Sequence, residues 1–117
     1  MKLIKTLLLT FMLAPAIGLT QTLKVGSDMT VVHFNAGWNS ANDVKWFEEL
    51  GDAKLKRCDI ASDTKAQDKW EIVVVPTIII FHEGEEIKRF QADISFSMKA
   101  TKEEVQEVID ETLMEGF

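Results

Sequence analysis

The sequence predicts an α/β domain in which a central mixed β-sheet of four to five strands is flanked by helices on both faces. Apolar, β-branched runs alternate along the chain with amphipathic segments, which is typical of strands alternating with helices. The last two strand-like runs are joined by a tight turn at Glu83-Gly84, which predicts a β-hairpin. A length of 117 residues, with 46% apolar and 27% charged residues, suits a single globular domain.

Two β-α units are expected in the first half of the domain: strands over residues 29–35 and 53–60, and helices over residues 39–50 and 62–70. The first strand (MTVVHFN) is apolar and β-branched, as in a buried strand. In the first helix Val44, Phe47 and Leu50 fall three apart, which favours one buried face. Ser62 or Asp63 is expected to cap the second helix.

A hairpin and a last helix are expected in the second half of the domain. The run TIIIFH over residues 77–82 is a strong strand signal, and its hairpin partner is expected over residues 86–91. Thr101 and Glu104 have the spacing of a capping box, which predicts that the last helix begins there. The predicted order is therefore β-α-β-α-β-β-α.

The first twenty residues read as an export signal. Two lysines precede an apolar run over residues 7–13, and small residues come after it, which is the layout of a secretory signal peptide. Cleavage after residue 16 and after residue 20 both fit this pattern. We expect residues 1–20 to be a signal peptide, residues 21–117 to be the domain, and the protein to be periplasmic or secreted.

Two other interpretations of this N-terminal segment stay open. It fits a buried first helix of the domain, and it fits an uncleaved membrane anchor. A membrane-spanning helix needs roughly 20 apolar residues, and this run is shorter and is interrupted by Pro15 and Gly18. We therefore expect no membrane span in the mature chain.

Composition excludes several kinds of site. Cys58 is the only cysteine, so the chain has no dithiol redox couple and no internal disulfide. The 19 acidic and 13 basic residues argue against nucleic-acid binding, which needs a cationic face. Two histidines, His33 and His82, are too few for a three-histidine metal site. No metal and no cofactor is expected.

Two segments resemble the thioredoxin family. Residues 31–38 (VVHFNAGW) are similar to the strand that leads into the family's active-site tryptophan. Residues 74–77 (VVPT) are similar to the family's cis-proline loop, and the run over residues 78–84 is similar to the strand and glycine turn that come after that loop. The resemblance covers about residues 30–110 and implies a thioredoxin-like fold.

The same resemblance implies that the family's redox chemistry is absent. The family carries Cys-x-x-Cys directly after the tryptophan, whereas Asn39 and Asn42 stand at these two positions. An amide can neither attack a disulfide nor resolve a mixed one. The acidic residue that the family buries beneath its cysteines corresponds to His33. We therefore expect no catalytic residues and no dithiol oxidoreductase activity.

Two residues of predicted strands, Cys58 and His33, each fit more than one role. Cys58 fits an inert, buried residue, since free cysteine behaves as a small hydrophobe, and it also fits a disulfide to another chain. His33 fits a hydrogen-bonded core residue, and it also fits a titrating group beneath the Asn39 loop.

The resemblance still allows binding at the loop that has lost its thiols. In thioredoxin-like proteins the residue before the cis-proline offers its backbone to an extended peptide, and a tryptophan beside it supplies an apolar platform. The candidate binding residues are therefore Trp38, Asn39, Asn42, Val75, Pro76 and Thr77. The competing interpretation is structural: the proline shapes the loop, the tryptophan fills it, and the asparagines cap a helix.

The sequence thus predicts an exported, non-catalytic thioredoxin-like module that binds a protein or an extended peptide. Two alternatives stay open. One is a redox protein of the same family that uses Cys58 in an unconventional way. The other is an accessory subunit that docks on a larger partner through an apolar surface including Trp38 and Trp46. The identity of the partner and the oligomeric state do not follow from the sequence.

Overall fold

The computed structural model of the chain describes residues 23–26 and 28–115. The predicted signal peptide, residues 1–20, lies outside the described residues and stays a prediction, as does the domain boundary at residue 21. Within the described part, no helix is both long enough and apolar enough to cross a membrane.

Four strands form one mixed sheet. They are β1 (Thr30–Asn35), β2 (Lys54–Asp59), β3 (Thr77–His82) and β4 (Glu85–Gln91). Their order across the sheet is β2-β1-β3-β4. β1 pairs parallel with β2 and antiparallel with β3, and β3 pairs antiparallel with β4. The predicted strands are therefore confirmed, with their ends shifted by at most one residue.

β1 lies inside the sheet, between β2 and β3, and all six of its residues are buried. Successive side chains of a strand point to opposite faces. Val32 and Phe34 accordingly enter the apolar cluster on one face, and Val31 enters the cluster on the other. His33 points to the same face as Val31, so an ionisable side chain is buried in the second core.

One helix covers each face of the sheet. α1 (Thr64–Lys69) contributes Ala66 to the first cluster, and its N-terminus is capped by Asp63, whose Oδ1 accepts from the Ala66 N–H at 3.1 Å. α2 (Lys102–Glu115) contributes Val105 and Ile109 to the second cluster. The prediction of a mixed sheet with helices on both faces is confirmed.

The capping box predicted for the last helix is formed in both directions. The Glu104 N–H donates to Thr101 Oγ1 at 3.2 Å, and the Thr101 N–H donates to Glu104 Oε1 at 2.9 Å. The predicted hairpin also forms, with φ of 55° at Glu83 and 81° at Gly84 in the turn. Two consecutive left-handed residues match the twist of the flanking strands.

The predicted helix over residues 39–50 is wrong. Two short 3₁₀ segments, Gly37–Asn42 and Phe47–Glu49, occupy this region. Asn39 has φ −114° and ψ 21°, outside the helical range, and its C=O accepts from the Asn35 side-chain amide at 3.1 Å. Asparagine amides compete with backbone hydrogen bonds in this way, which prevents a continuous α-helix.

The burial predicted for this region is nevertheless confirmed. Val44, Phe47 and Leu50 are all buried in the second cluster. Their spacing of three residues suits a 3₁₀ segment, which has three residues per turn, as well as it suits one face of an α-helix. The apolar pattern therefore identified the buried side chains and could not distinguish the two kinds of helix.

Four connections meet at one end of the sheet. β1, β2 and β4 finish there, and β3 begins there. Three connections come after these finishing strands, over residues 36–43, 60–63 and 92–101, and the fourth precedes β3, over residues 70–76. This end of the sheet, called here the loop end, holds the candidate functional site.

Candidate functional site

Trp38 projects from the loop end. It follows Gly37, whose N–H donates to Asp59 Oδ1 at 3.3 Å and so ties the start of the loop to the end of β2. The Trp38 side chain is 68% exposed. Its indole packs edge-on against the ring of Phe96, with ring centroids 5.4 Å apart and planes at 89°. Trp38 is therefore held by one aromatic neighbour and leaves most of its surface free.

Asn39 is buried and ties together three segments of chain. Its side-chain nitrogen lies 3.1 Å from Asn35 Oδ1, 3.1 Å from the Phe96 C=O and 3.5 Å from the Val75 C=O. An amide nitrogen has two hydrogens, so the two shorter contacts are its main hydrogen bonds. Asn39 thus joins the end of β1 to the connection after β4, with a weaker contact to the segment before β3.

Asn42 completes this arrangement from the exposed side of the loop. Its Nδ2 donates to Asn39 Oδ1 at 2.9 Å. The two positions that resemble the family's cysteines are thus joined by a hydrogen bond between side chains. This bond connects the same two places that a disulfide would connect, and it neither forms nor breaks by electron transfer.

The predicted proline loop lies beneath the surface. The Val75–Pro76 peptide bond is cis. Val75 is 4% exposed, Thr77 is fully buried, and Thr77 Oγ1 donates to the Val74 C=O at 2.6 Å. Of the six candidate binding residues, only Trp38 and Asn42 are exposed. The other four hold the loop end together from within.

Sequence reasoning missed two exposed apolar residues in the connection after β4. Ile94 is 96% exposed and Phe96 is 41% exposed. The connection is a closed turn, since Asp93 Oδ1 accepts from the Ser95 N–H at 2.9 Å and the Asp93 C=O accepts from the Phe96 N–H at 3.0 Å. An aspartate two residues before a serine is a recognised turn signal, and it could have indicated a fixed loop here.

A shallow apolar groove runs beside Trp38. It has a volume of about 110 Å³, and its walls include Trp38, Ile72, Val73 and Phe96. Val73 is 81% exposed and lies on its outer rim. The groove, together with the exposed Ile94 of the connection that carries Phe96, is called here the apolar groove.

His33 is buried on the opposite side of the loop, against β2. Its Nε2 accepts from the Val44 N–H at 3.1 Å, and its ring lies 5.4 Å from that of Phe47. An Arg57 guanidinium nitrogen lies 3.3 Å from the ring nitrogens. Burial, and then the positive charge of Arg57, lower the pKa of His33 to about 4. His33 is therefore neutral near pH 7 and acts there as a hydrogen-bond acceptor.

Arg57 is paired away from the groove. Its Nε and a terminal nitrogen bind the two oxygens of Glu48 at 2.7 and 2.9 Å, and a terminal nitrogen also donates to the Val44 C=O at 2.9 Å. The Arg57 hydrogen bond lowers the pKa of Glu48. A bidentate pair of this kind is more specific than a single contact, and it fixes the 3₁₀ segment against β2.

Cys58 lies on β2 and is 9% exposed. Burial and the carboxylates of Asp63 and Asp59 raise the pKa of its thiol to about 11. The thiolate is the reactive form of cysteine, so at neutral pH only about one molecule in 10,000 carries it. In the part of the chain that the structure describes, no group of three or more histidine, cysteine, aspartate or glutamate side chains can hold a metal ion.

Comparison with known proteins identifies the fold. No protein-family model matches the chain, and no curated protein matches it. Thioredoxin from Schistosoma mansoni is 22% identical, with a TM-score of 0.59 over 75% of this chain and 80% of that one. A mutant thioredoxin from Halobacterium salinarum is 18% identical, with a TM-score of 0.58 over 73% and 74%. Thioredoxin from Fasciola hepatica is 20% identical, with a TM-score of 0.54 over 74% and 82%. These likenesses show the fold alone, and they confirm the predicted thioredoxin-like fold.

Removing the Asn39 amide should destabilise the loop end. Asn39→Ala removes the donor from the buried Asn35 Oδ1 and from the part-buried Phe96 C=O, so we expect the free energy of unfolding to fall by about 2 kcal/mol. Ser40→Ala changes an exposed neighbour in the same loop and should change it by less than about 0.5 kcal/mol. Urea denaturation followed by circular dichroism measures both values. Equal effects of the two substitutions would contradict the role assigned to Asn39.

Stability should fall in mild acid because of His33. The pKa of a histidine is near 6.5 in an unfolded chain and about 4 for folded His33. As pH falls through this range, the unfolded chain takes up a proton first, which lowers the free energy of unfolding by roughly 3 kcal/mol. His33→Gln should remove this dependence and His82→Gln should retain it. An NMR titration of intact protein that gives His33 a midpoint near 6.5 would refute the assignment.

Proposed function

We propose that this protein is a non-catalytic binding module that takes an extended peptide or protein segment in the apolar groove. The proposal starts from a thioredoxin fold whose loop after β1 carries no thiol. The observation that carries the proposal is the exposure of four large apolar side chains at one end of the sheet. They are Trp38, Val73, Ile94 and Phe96, which are 68%, 81%, 96% and 41% exposed.

This clustering is unusual for a surface. The structure describes six large apolar residues that are exposed. Four of them lie in connections at the loop end, and the other two, Ile87 and Met114, lie on β4 and α2. Single exposed apolar residues are common in proteins, whereas a contiguous group of them marks a surface that another molecule covers. Trp38 is a strong anchor because it combines a large contact area with an indole N–H.

The backbone on the rim of the groove suits an extended partner. Within the described residues, neither the N–H nor the C=O of Val73 forms a hydrogen bond. An extended peptide can pair with such groups as an added strand. Val75, which the resemblance implicates in this role, is covered, and its C=O faces Asn39. The proposal therefore assigns the pairing to Val73.

The groove is fixed before a partner arrives. The Asn39 amide holds the Phe96 backbone, and the Asp93 turn holds the loop that carries Ile94. Binding to a fixed surface avoids the entropic cost of ordering loops. The shape of the groove does not depend on the redox state of the compartment, because the loop that carries Trp38 contains no thiol.

Export is part of the proposal and is supported by residues 1–20 alone. Two lysines, an apolar run and small residues at the two candidate cleavage sites are the pattern of a secreted precursor. The proposed protein therefore acts in the periplasm or outside the cell.

The two alternatives receive less support from particular residues. A redox role for Cys58 needs a reactive thiolate, and the pKa of that thiol is raised to about 11. A docking surface that includes both Trp38 and Trp46 needs both to be exposed. Trp46 is half-buried and packs against the second apolar cluster, so it offers less surface than Trp38.

Replacing Trp38 should weaken peptide binding and leave the fold intact. Random twelve-residue peptides displayed on phage are first selected for binding to the wild-type chain. We expect the selected peptides to bind the Trp38→Ala variant at least about tenfold more weakly, since an anchor tryptophan contributes about 2 kcal/mol or more. Met114→Ala removes an equally exposed apolar side chain on α2 and should have no effect. Fluorescence anisotropy of the selected peptides measures these affinities. Peptides that bind both variants as well as the wild type would overturn the proposal.

Export should remove the N-terminal segment. When the full chain is produced in a Gram-negative host, the periplasmic protein should have the intact mass expected for loss of residues 1–16 or 1–20. Deletion of residues 7–13 should retain the protein at its uncleaved mass in the cytoplasm. Full-length wild-type protein in the soluble cytoplasmic fraction would overturn export, and full-length protein in the membrane fraction would support the uncleaved anchor instead.

A further inference from the structure

Three carboxylate residues, called here the border carboxylates, stand directly before apolar residues of the groove: Asp59 before Ile60, Glu71 before Ile72 and Asp93 before Ile94. Asp59 binds the Gly37 N–H and so lies next to the Trp38 loop. Glu71 precedes the Val73 rim by two residues and is exposed. The groove walls themselves carry no charged side chain. A partner in the groove would therefore meet apolar walls inside a negatively charged border.

The third carboxylate, Asp93, stands directly before the exposed Ile94. Lys99 lies 3.5 Å from it, a long contact between two largely exposed groups. Such a pair is screened by water and salt, and it compensates the negative charge only in part. Lys99 is the single cation in the four connections of the loop end, as far as the structure describes them.

The other two border carboxylates form no ion pair within the described residues. Asp59 Oδ1 accepts from two backbone N–H groups, those of Gly37 and Ala61, which bring no net charge. Arg89 binds the Glu71 C=O at 3.2 Å and both carboxylate oxygens of Glu86 at 2.7 and 2.8 Å. The Glu86 hydrogen bond and, to a smaller extent, the charge of Glu71 raise the pKa of Arg89, so Arg89 is engaged mainly by Glu86. The border therefore keeps a negative potential.

We infer that the partner of the apolar groove is an extended peptide segment with an apolar centre and lysine or arginine residues on both sides of it. This inference rests on the proposed function and adds the charge of the partner. The apolar centre covers Trp38, Val73 and Phe96, and the cationic flanks lie against Asp59, Glu71 and Asp93. Charge complementarity of this kind selects partners and accelerates their association more than it adds to affinity.

The same charges disfavour a second copy of this chain as the occupant. Residues 21–117 contain 11 basic and 19 acidic residues, a formal charge of −8. Two copies that met at their grooves would bring two negatively charged borders together. Like charges that face each other across an interface oppose association.

Two labelled peptides test the inference on the intact mature chain. Both have eight residues and the same Val-Leu-Phe-Val centre, and one carries two lysines at each end where the other carries two glutamates. In 50 mM NaCl we expect the lysine peptide to bind about tenfold more tightly, and in 500 mM NaCl we expect the ratio to approach one, since salt screens exposed charges. Fluorescence anisotropy measures both affinities.

Charge reversal on the border supplies the matched variants. Glu71→Lys should weaken binding of the lysine peptide about threefold to fivefold, because it replaces attraction by repulsion at the groove. Glu83→Lys makes the same change at the opposite end of the sheet. Both positions are exposed and left-handed, with φ of 52° and 55°, so backbone effects cancel. Glu83→Lys should therefore leave the affinity unchanged.

The outcomes separate this inference from the proposed function. Equal binding of the two peptides, lost in both cases on Trp38→Ala, would overturn the cationic partner and leave the binding module standing. A lysine preference that persists in Trp38→Ala would show charge attraction outside the groove and would overturn the inference. No Trp38-dependent binding of either peptide, together with failure of the phage selection, would overturn both. A dimer that forms on concentration and is lost in Trp38→Ala would identify a second copy as the occupant.

Discussion

The side-chain amide of Asn39 is the interaction on which the loop end depends. It is buried and binds Asn35 at the end of β1, Asn42 across the loop and the Phe96 backbone after β4. An unpaired amide at this depth would cost a few kcal/mol, so these segments are held together or the loop opens as a whole. The same bonds draw the chain away from α-helical geometry after Trp38 and so shape the surface that Trp38 presents.

The polar groups beneath the loop are arranged around a neutral histidine, His33. In the resembling family an acidic residue stands at the position of His33. Here His33 accepts a backbone hydrogen bond, and the negative charge is supplied from another segment by Glu48, which binds Arg57. This arrangement satisfies the buried groups without a proton to transfer. The one thiol of the chain, Cys58, is held in its protonated form at neutral pH, since burial and nearby carboxylates raise its pKa to about 11.

The hydrogen bond between Asn39 and Asn42 bears on both the chemistry and the surface of the loop end. A disulfide at the loop would connect the positions of Asn39 and Asn42, and the amide pair connects them instead with a bond that reductants leave intact. The connection after β4 is thereby fixed, and it places Phe96 against Trp38. A surface of exposed apolar side chains that is fixed in advance favours binding, whether or not a reaction follows.

The sequence by itself determined the four strands, the capping box, the two apolar faces and the absence of thiols at positions 39 and 42, because each is a local pattern or a residue identity. The tertiary structure decided the rest of the site. Residues 39–50 carry an apolar spacing that fits both an α-helix and a 3₁₀ segment, and only the contact of Asn39 with Asn35 and Phe96 selects between them. Val75 is covered, while Val73 and Ile94 are exposed, because connections that are distant in the chain meet at one end of the sheet. Exposure of this kind depends on what packs against a residue, and no local pattern records it.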